Sequence, residues 1–228
     1  MRSGKQWISI SDLMAGLMMI FMFIAIVFML KTEKEQERSR ELALTYQEYQ
    51  QDLYKSLYEE FEDDLQKWGA ELLLDNTIRF NEPEILFARS SSEINENFAL
   101  ILSDFYPRYI RILYSDQYRE NIDEIRIEGH TSSDWIGGGT MADSYLGNAA
   151  LSQARSLSVL NYVFQLDSVS SYRDWMTTYI RANGLSFAKR ILLPDGSEDL
   201  VRSRRVEFRV ETKAEERIYK ILETLDGN

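Results

Sequence analysis

The sequence predicts an α+β protein with three parts: one N-terminal transmembrane helix, a helical stalk and a compact mixed domain. Three observations support this prediction. The run from Leu13 to Leu30 carries no charge. Apolar residues then recur at helical spacing through a highly charged segment. From about Asn76, short strand-like and helical segments alternate, which is typical of an α+β domain. We therefore expect parts at residues 1–30, 31–75 and 76–228.

The composition disfavours several classes of function. A formal net charge of -11 argues against binding to nucleic-acid phosphates, which needs a basic surface. With no cysteine and a single histidine, His130, the chain has no thiolate or multi-histidine metal site. No arrangement of nucleophile, base and oxyanion donors is visible. We expect no metal, no cofactor and no enzyme activity.

The charge-free run is long enough to cross a membrane, because about 20 helical residues span the roughly 30 Å hydrocarbon core. Counting from Ile8 makes the apolar run longer still, with Asp12 as its single charge. A cleaved signal peptide is disfavoured, since the run is too long and no small-x-small site precedes Lys31. Basic residues flank both ends, so the positive-inside rule does not decide the orientation.

Asp12 has two interpretations. Together with Ser9 and Ser11 it could cap the helix, where the positive end of the macrodipole favours an acid. Alternatively, Ile8 and Ile10 extend the apolar segment past it and leave a carboxylate inside the membrane. An acid there costs about 2.5 to 3.5 kcal/mol on insertion and is usually part of an ion or proton path. The neighbouring small residues Ala15 and Gly16 allow close approach of a partner helix.

The stalk prediction depends on an apolar stripe downstream of Lys31. Its apolar residues are four or three positions apart, and four is the commoner spacing. The average repeat of the stripe is therefore longer than the roughly 3.5 residues of a left-handed coiled coil. A straight or slightly right-handed pair of helices fits this spacing, which predicts a dimer. The alternative is one amphipathic helix that folds back on its own domain. The stripe consists of Leu42, Tyr46, Tyr49, Leu53, Leu57, Phe61, Leu65, Trp68 and Leu72.

The domain is predicted from short periodic segments separated by turn residues. Strand-like segments are Ile78–Phe80, Ile85–Phe87, Ile125–Glu128 and Arg205–Thr212. Helical segments are Asn95–Tyr114, Asn148–Phe164 and a closing helix at Ala214–Leu225.

The membrane segment resembles a known family. The run Ser11-Asp-Leu-Met-Ala-Gly-Leu-Met-Met-Ile-Phe-Met-Phe-Ile24 is similar to the channel helix of MotB-type stator subunits, in particular those of the ZorB type from Zorya anti-phage defence systems. In these families the aspartate carries protons, and two short subunits lie inside a pentamer of a multi-span MotA-like (ZorA-like) membrane partner. The resemblance implies that Asp12 is the proton carrier.

Three further motifs resemble the OmpA-like peptidoglycan-binding domain, an α/β sandwich. They occur in the order Ile125-Arg-Ile-Glu-Gly-His-Thr-Ser-Ser133, Asn148-Ala-Ala-Leu-Ser-Gln-Ala-Arg155 and Ser203-Arg-Arg-Val-Glu-Phe208. In that family the helix arginine pairs with a carboxylate of the diaminopimelate stem peptide. A guanidinium fork suits this pairing because it donates two parallel hydrogen bonds.

The resemblance implies that Asn148, Leu151 and Arg155 bind peptidoglycan. The family aspartate that receives the ligand's ammonium group is replaced here by Ser132, and we expect Asp134 or Asp143 to take its role. The loop around Trp135 to Thr140 is lengthened by glycines, which leaves the choice between these two acids open. His130 is expected to be structural.

Together these features predict a proton-channel subunit of a rotary motor, anchored to peptidoglycan and acting in anti-phage defence. We expect a bacterial inner-membrane protein with a cytoplasmic N-terminus and a periplasmic domain. Alternatives are a flagellar MotB-type subunit and a membrane-tethered wall-binding protein without transport. An ExbD-type subunit also has an acid in a single span but would lack the three wall-domain motifs. The sequence leaves open whether the ion is H+ or Na+.

Overall fold

A computed structural model describes residues 3–81, 86–88, 91–134 and 137–213, with the side chains of residues 3–12, 42 and 45 left aside. The predicted closing helix at Ala214–Leu225 and residue Ile85 of a predicted strand lie outside the described residues. The remaining segments form a long helix followed by a mixed α/β domain, which confirms the predicted α+β class.

Within the described ranges, helices and strands occur both before and after residues 131–140. Before it come α1 (Ser3–Leu65), β1 (Ala70–Leu72), β2 (Ile78–Phe80), α2 (Glu96–Leu113) and β3 (Ile122–His130). After it come α3 (Met141–Gln165), α4 (Arg173–Tyr179), β4 (Ile180–Gly184) and β5 (Arg205–Thr212). A 3-10 helix, Asp167–Tyr172, connects α3 to α4.

Most predicted segments occur in the fold, with different bounds. Helix α2 lies between its caps Asn95 and Tyr114, the two ends of the predicted segment. Helix α3 begins at Met141, well before the predicted Asn148, because Thr140 and Asp143 form a capping box there. Phe87 makes only an isolated bridge to Ile94 instead of belonging to a strand.

The upstream part of α1 is the candidate membrane span. Its best 18-residue window has a mean hydropathy of 2.8, and none of that window is buried. Large apolar side chains such as Phe23 and Met29 are exposed, as expected for side chains that face lipid. The described residues contain one helix of this kind.

The domain is built on a five-stranded sheet in the order β1-β2-β5-β3-β4. Neighbouring strands are antiparallel except β3 and β4, which are parallel. A parallel pair needs a crossover connection, and α3, the 3-10 helix and α4 supply it. The carboxyl end of β3 and the start of β5 are paired at His130 and Arg205, so the first and third wall-domain motifs meet at one edge of the sheet.

The apolar face of the sheet packs against the helices. Strand side chains alternate in direction, so Ile125, Ile127 and Phe208 point to one face and the charged residues between them to the other. Phe105 of α2 occupies the centre of this core, with its ring centroid 5.0 Å from Phe208 and 5.3 Å from Phe80. The rings meet edge-on, a favourable geometry for aromatic pairs.

The last part of α1 belongs to this core. Leu53, Leu57 and Phe61 are fully buried in the single chain, and the Phe61 ring centroid lies 5.3 Å from that of Phe105. The prediction that these three residues form the contact between two helices of a dimer is therefore wrong, because their apolar side chains already cover the sheet of their own domain. The compact domain begins at Glu48, and a fragment starting at residue 76 would lack part of its core.

Polar contacts fix α1 against α2. Arg108 donates from Nε to Glu60 Oε1 at 2.7 Å and from a terminal nitrogen to Asp64 Oδ2 at 3.0 Å. Its guanidinium also lies over the Phe61 ring, 4.9 Å from the centroid. Because cation–π contacts and charge-assisted hydrogen bonds act on one side chain, Arg108 holds the two helices in a defined register.

The opposite face of the sheet carries a buried ion network. One carboxylate oxygen of Glu207 accepts hydrogen bonds from Arg79 Nε at 2.7 Å and Arg205 Nε at 2.6 Å. The second oxygen lies 3.4 Å from His130 Nε2. Burial by itself raises the pKa of Glu207, but His130 and Arg205 outweigh burial and hold the pKa well below its usual range. Glu207 therefore remains ionised and neutralises the charges around it.

The core position of α1 predicts a difference between two leucines on the same helix. Leu57→Ala should lower the free energy of unfolding by about 2 to 5 kcal/mol, because it leaves a cavity in a packed core. Leu44→Ala, at an exposed position, should change it by less than about 0.5 kcal/mol. Urea denaturation of the detergent-solubilised chain measures both values. Equal effects of the two substitutions would contradict the assignment of Leu57 to the core.

The ion network predicts a pH-dependent loss of stability. At pH 7, Glu207→Gln should cost about 3 to 5 kcal/mol because it leaves the buried guanidinium group of Arg205 without its anion, whereas Arg79 keeps its ion pair with Glu71. The control Glu59→Gln, in an exposed pair with Lys55, should cost less than about 1 kcal/mol. The folded-state pKa of Glu207 lies below its unfolded value of about 4.5. Its contribution is therefore complete above that value and is lost as the pH falls below it. Urea denaturation should show wild type and Glu207→Gln converging at acidic pH, whereas a pH-independent difference would contradict the ion-pair role.

Candidate functional site

The candidate site lies where α3 crosses the carboxyl ends of β3 and β4, and two glycines permit this crossing. A β-carbon on Gly129 would lie 2.3 Å from the backbone oxygen of Ser152. A β-carbon on Gly184 would lie 2.3 Å from the backbone nitrogen of Gln153. Because no side chain fits at either position, glycine is required for the helix to approach the sheet this closely.

Hydrogen bonds then fix the helix to the strands. Gln153 donates from Nε2 to the Ala182 carbonyl at 3.1 Å and accepts from the Gly184 amide at 2.8 Å. The Ser186 amide donates to Ser152 Oγ at 3.0 Å. The Thr131 amide donates to the Ser186 carbonyl at 2.9 Å, which connects the end of β3 to the same point. The motif residues on α3 and β3 are therefore held in one rigid corner.

Arg155 is the central polar group of this corner and is only 8% exposed. Its Nε donates to the Ser91 carbonyl at 2.9 Å, and its guanidinium carbon lies 5.0 Å from the centroid of the Phe87 ring. Burial, and next the positive charge of Arg204, lower the pKa of Arg155 to about 10. The group is still charged at neutral pH. Among the described residues no carboxylate lies within ion-pair distance of Arg155.

Asn148 lies two helical turns before Arg155, so the two side chains share one face of α3. Asn148 is buried, and its Nδ2 has no hydrogen-bond partner among the described residues. Leu151 is half-buried on the same helix and offers an apolar surface beside them. The structure therefore brings the three sequence-predicted residues together, with two of them presenting donors. A buried donor without an acceptor is costly, which is typical of a site that meets an external ligand.

The two candidate acids lie in different surroundings. Asp143 is committed to the start of α3: its Oδ2 accepts from the Thr140 amide at 2.8 Å and from Thr140 Oγ1 at 2.7 Å. The hydroxyl and amide of Thr140 lower the pKa of Asp143. Asp134 is exposed on the loop after β3. Ser132, at the family's aspartate position, is buried and cannot supply a charge.

Glu128, His130 and Glu207 could each offer one ligand atom to a metal within a span of 4.8 Å. All three are buried, and His130 Nε2 lies 3.5 Å from Glu128 and 3.4 Å from Glu207. However, Arg79 and Arg205 already balance the Glu207 carboxylate, so a divalent cation would add uncompensated positive charge to a buried site. The arrangement fits an internal ion network better than a metal centre.

The sequence did not reveal three residues that shape the site. Ser91 and Phe87 belong to the loop after β2 and carry no recognisable motif. Arg204 belongs to the third motif, yet adjacent arginines are common in charged segments and do not by themselves indicate a site. Its unpartnered Nε and its influence on Arg155 become visible only in the fold.

Asp12 belongs to the other candidate site. Helix α1 begins at Ser3, so Asp12 lies more than two turns inside the helix, which disagrees with the interpretation of this residue as its N-terminal cap. The run from Leu13 to Leu30 then provides about 27 Å of helix beyond it. The Asp12 side chain lies outside the described part of the structure, so its contacts are not part of this geometry.

Comparisons with known proteins agree with the fold and the motifs. No protein-family model matches the chain. The Zorya protein ZorB of Escherichia coli (strain Crooks) is 44% identical over 223 residues, which cover 97% of this chain and 94% of that protein.

Two solved structures are similar to this chain. A MotB-like protein from Desulfovibrio vulgaris is 24% identical and aligns with a TM-score of 0.54 over 76% of this chain and 98% of its own. The type VI secretion cell-wall anchor of Pseudomonas aeruginosa is 21% identical over 68% and 96% of the two chains, with a TM-score of 0.46. The first of these establishes a MotB-like fold. Because the identity to ZorB extends along almost the whole of both chains, the protein belongs to the ZorB family of Zorya proteins.

Proposed function

We propose that the protein is the wall-anchored, proton-conducting subunit of an inner-membrane rotary motor that acts in anti-phage defence. Two copies lie inside a pentamer of a MotA-like (ZorA-like) multi-span partner. The main support for this proposal is Arg155, which is buried and still charged but lacks a carboxylate partner among the described residues. The domain that contains it follows a candidate membrane span. Membership of the ZorB family supports the defence role.

The anchoring half of the proposal follows from the chemistry of Arg155. Its Nε is occupied by Ser91, and Phe87 supports the guanidinium plane, so the group is oriented before any ligand arrives. A carboxylate of the diaminopimelate stem peptide supplies the missing anion. A charge-assisted hydrogen bond of this kind contributes about 1.5 to 3 kcal/mol. Asn148 Nδ2 donates to the same peptide, and Leu151 packs beside it.

The ligand's ammonium group needs an acceptor, and the surroundings favour Asp134 over Asp143. Asp143 already receives two hydrogen bonds that start helix α3. Binding a ligand there would compete with the helix cap. Asp134 is exposed and follows the strand that carries the first motif, so it can turn to the ligand without such a cost.

The ion-conducting half depends on Asp12. A carboxylate inside a membrane helix is costly unless it serves a path for ions, and protonation removes its charge. Each proton that crosses gains about 2.3 kcal/mol per 100 mV of membrane potential, which is enough to bias a two-state helix contact. With the domain fixed to the wall, this energy turns the surrounding ring. The N-terminus lies in the cytoplasm, because the wall-binding domain must be periplasmic.

Dimer contacts in this proposal lie upstream of the domain core. Leu53, Leu57 and Phe61 are buried within one chain, so a helix pair would use residues 31–47. Glu35 and Lys31 are paired along this exposed helix at 3.9 Å, one turn apart, as expected of a solvated stalk.

For Asp12, we expect Asp12→Asn to abolish ion-driven function without affecting membrane insertion. The amide imitates the protonated acid permanently, so the protonation cycle stops while the span stays apolar. Protection of cells against phage, with the multi-span partner co-expressed, measures function, and the membrane fraction measures insertion. Asp12→Glu is the matched control and should keep partial activity. Full protection by Asp12→Asn would instead favour the tether without transport.

For the wall site, binding of the detergent-solubilised chain to diaminopimelate-containing peptidoglycan should decrease in the order wild type, Arg155→Lys, Arg155→Ala. Lysine keeps the charge but loses the fork, whereas alanine loses both. We expect a loss of about 10- to 100-fold for alanine. Co-sedimentation with purified sacculi measures it, and thermal unfolding checks the fold.

Two controls accompany this series. Arg119→Ala removes an arginine that pairs with Asp116 and lies outside the site, so it should bind as wild type does. Asp134→Asn should weaken binding, whereas Asp143→Asn should chiefly lower thermal stability; the reverse result would assign the ammonium group to Asp143. Wild type that stays in the supernatant would refute wall anchoring.

A further inference from the structure

We propose that Glu198 is a positioning residue of this site, which fixes the loop after β3 so that Asp134 meets the ammonium group of the ligand. This inference rests on the proposed wall-binding function and adds a residue that lies outside all three motifs. The aspartate that OmpA-like domains carry after Gly-His-Thr is replaced here by Ser132, so the chain must present its acid in another way. Glu198 lies far from this motif in the sequence but contacts it in the fold.

The carboxylate of Glu198 binds the residue directly before Asp134. One of its oxygens accepts a hydrogen bond from the Ser133 amide at 3.0 Å, and the other accepts from the Ser133 hydroxyl. The Glu198 side chain is only 8% exposed, so both hydrogen bonds are sheltered from water. Because the amide is one of the two groups bound, Glu198 fixes the backbone of Ser133 and with it the direction in which Asp134 follows.

The loop after β3 is therefore held at two successive points. The Thr131 amide donates to the Ser186 carbonyl at 2.9 Å, and Glu198 binds two residues further along. Asp134 lies immediately beyond the second point and is exposed. A carboxylate binds a ligand with a smaller loss of conformational entropy when the backbone that carries it is already ordered.

Glu198 is itself held by a short hairpin between β4 and β5. Leu192 forms an isolated antiparallel bridge with Glu198. The Asp199 amide donates to the Ile191 carbonyl at 2.8 Å. The Ile191 amide in turn donates to Oγ of Ser203, which is buried just before β5. The sheet thus determines the position of the Glu198 backbone, and the side chain passes this order to the loop.

The other contact of the Glu198 carboxylate is weak. Arg190 lies 3.9 Å away, and its side chain is half-exposed, so this ion pair contributes little. The hydrogen bonds to Ser133 are therefore the main interactions of this acid. Because both of its oxygens already accept from Ser133, Glu198 is less suited than the exposed Asp134 to bind the ligand itself.

The test asks whether Glu198 acts through the ammonium group of the ligand. Calorimetry measures binding of the detergent-solubilised full chain to the tripeptide L-Ala-γ-D-Glu-meso-diaminopimelate and to an analogue with α-aminopimelate, which keeps both carboxylates but lacks the free amine. The variants are Glu198→Ala, Glu198→Gln, Asp134→Asn and the double variant Glu198→Ala/Asp134→Asn. Asp195→Asn is the matched control, because Asp195 belongs to the same hairpin but accepts from Ser197 within its turn.

Wild type and Asp195→Asn should bind the diaminopimelate peptide about 10- to 100-fold more tightly than the analogue, since only this peptide offers an ammonium group to Asp134. Glu198→Ala should reduce this ratio to about 3-fold or less while affinity for the analogue stays unchanged. Glu198→Gln should be intermediate, because its amide oxygen still accepts from the Ser133 amide. The double variant should bind as Asp134→Asn does, since both changes remove one interaction.

A merely structural role of Glu198 gives a different pattern. An acid that only stabilised the fold would lower the unfolding temperature, or weaken both peptides equally, without changing the ratio of the two affinities. Thermal unfolding of each variant is therefore measured beside the titrations.

The outcomes separate this inference from the wall-binding proposal. If wild type sediments with sacculi and Glu198→Ala keeps the wild-type ratio, positioning by Glu198 is refuted and wall anchoring stands. If Glu198→Ala loses the ratio but wild type stays in the supernatant, positioning stands and wall anchoring is refuted. If Asp134→Asn keeps the ratio that Glu198→Ala loses, Glu198 does not act through Asp134 and the inference is refuted. Wild type that binds neither peptide, or both equally, refutes it as well.

Discussion

The close contact between helix α3 and the sheet is the constraint on which the rest of the domain depends. It exists because Gly129 and Gly184 present backbone where any side chain would collide with Ser152 and Gln153. This contact brings the end of the motif on β3 next to the motif on α3. It also fixes the direction in which the Arg155 side chain leaves the helix. A methyl group at either glycine would displace the helix, and the polar groups of the site would no longer converge. Glycine in the Gly-His-Thr sequence is thus explained by packing.

The charged groups on the two sides of the sheet differ in their partners. On one face, Arg79, Arg205 and Glu207 satisfy one another in a buried network. On the other, Arg155 of helix α3 has no acid partner within the residues that the structure describes. Arg205, at the start of β5, is therefore part of the network on the charged face of the sheet. His130 is buried beside this network, with Nε2 3.4 Å from Glu207, which supports its expected structural role.

The sequence predicted much of the fold because its signals were local. Periodic segments identified Arg205–Thr212 as a strand and Asn95–Tyr114 as a helix, and the structure caps that helix at these two residues. Strand β4 was missed since it follows α4 directly, without a turn residue to mark its start. The stripe on α1 predicted a buried face correctly but not its partner, because spacing shows which residues share a face and not what covers it. For the candidate site, motifs pointed to Asn148, Leu151 and Arg155, whereas the hydrogen bond from Arg155 to Ser91 joins residues far apart in the chain that no local pattern connects.

The incorporation of α1 into the domain has a mechanical consequence. Tension applied to the last turns of α1 would reach the rest of the domain through Leu53, Leu57 and Phe61, and through the contact of Arg108 with Glu60. These contacts are spread over more than two helical turns and would be loaded in shear, so they must break together and not one after another. Attachment through a flexible linker would instead extend at low force before any load reached the domain. Within the compact unit that begins at Glu48, tension on the last turns of α1 would therefore reach the sheet directly.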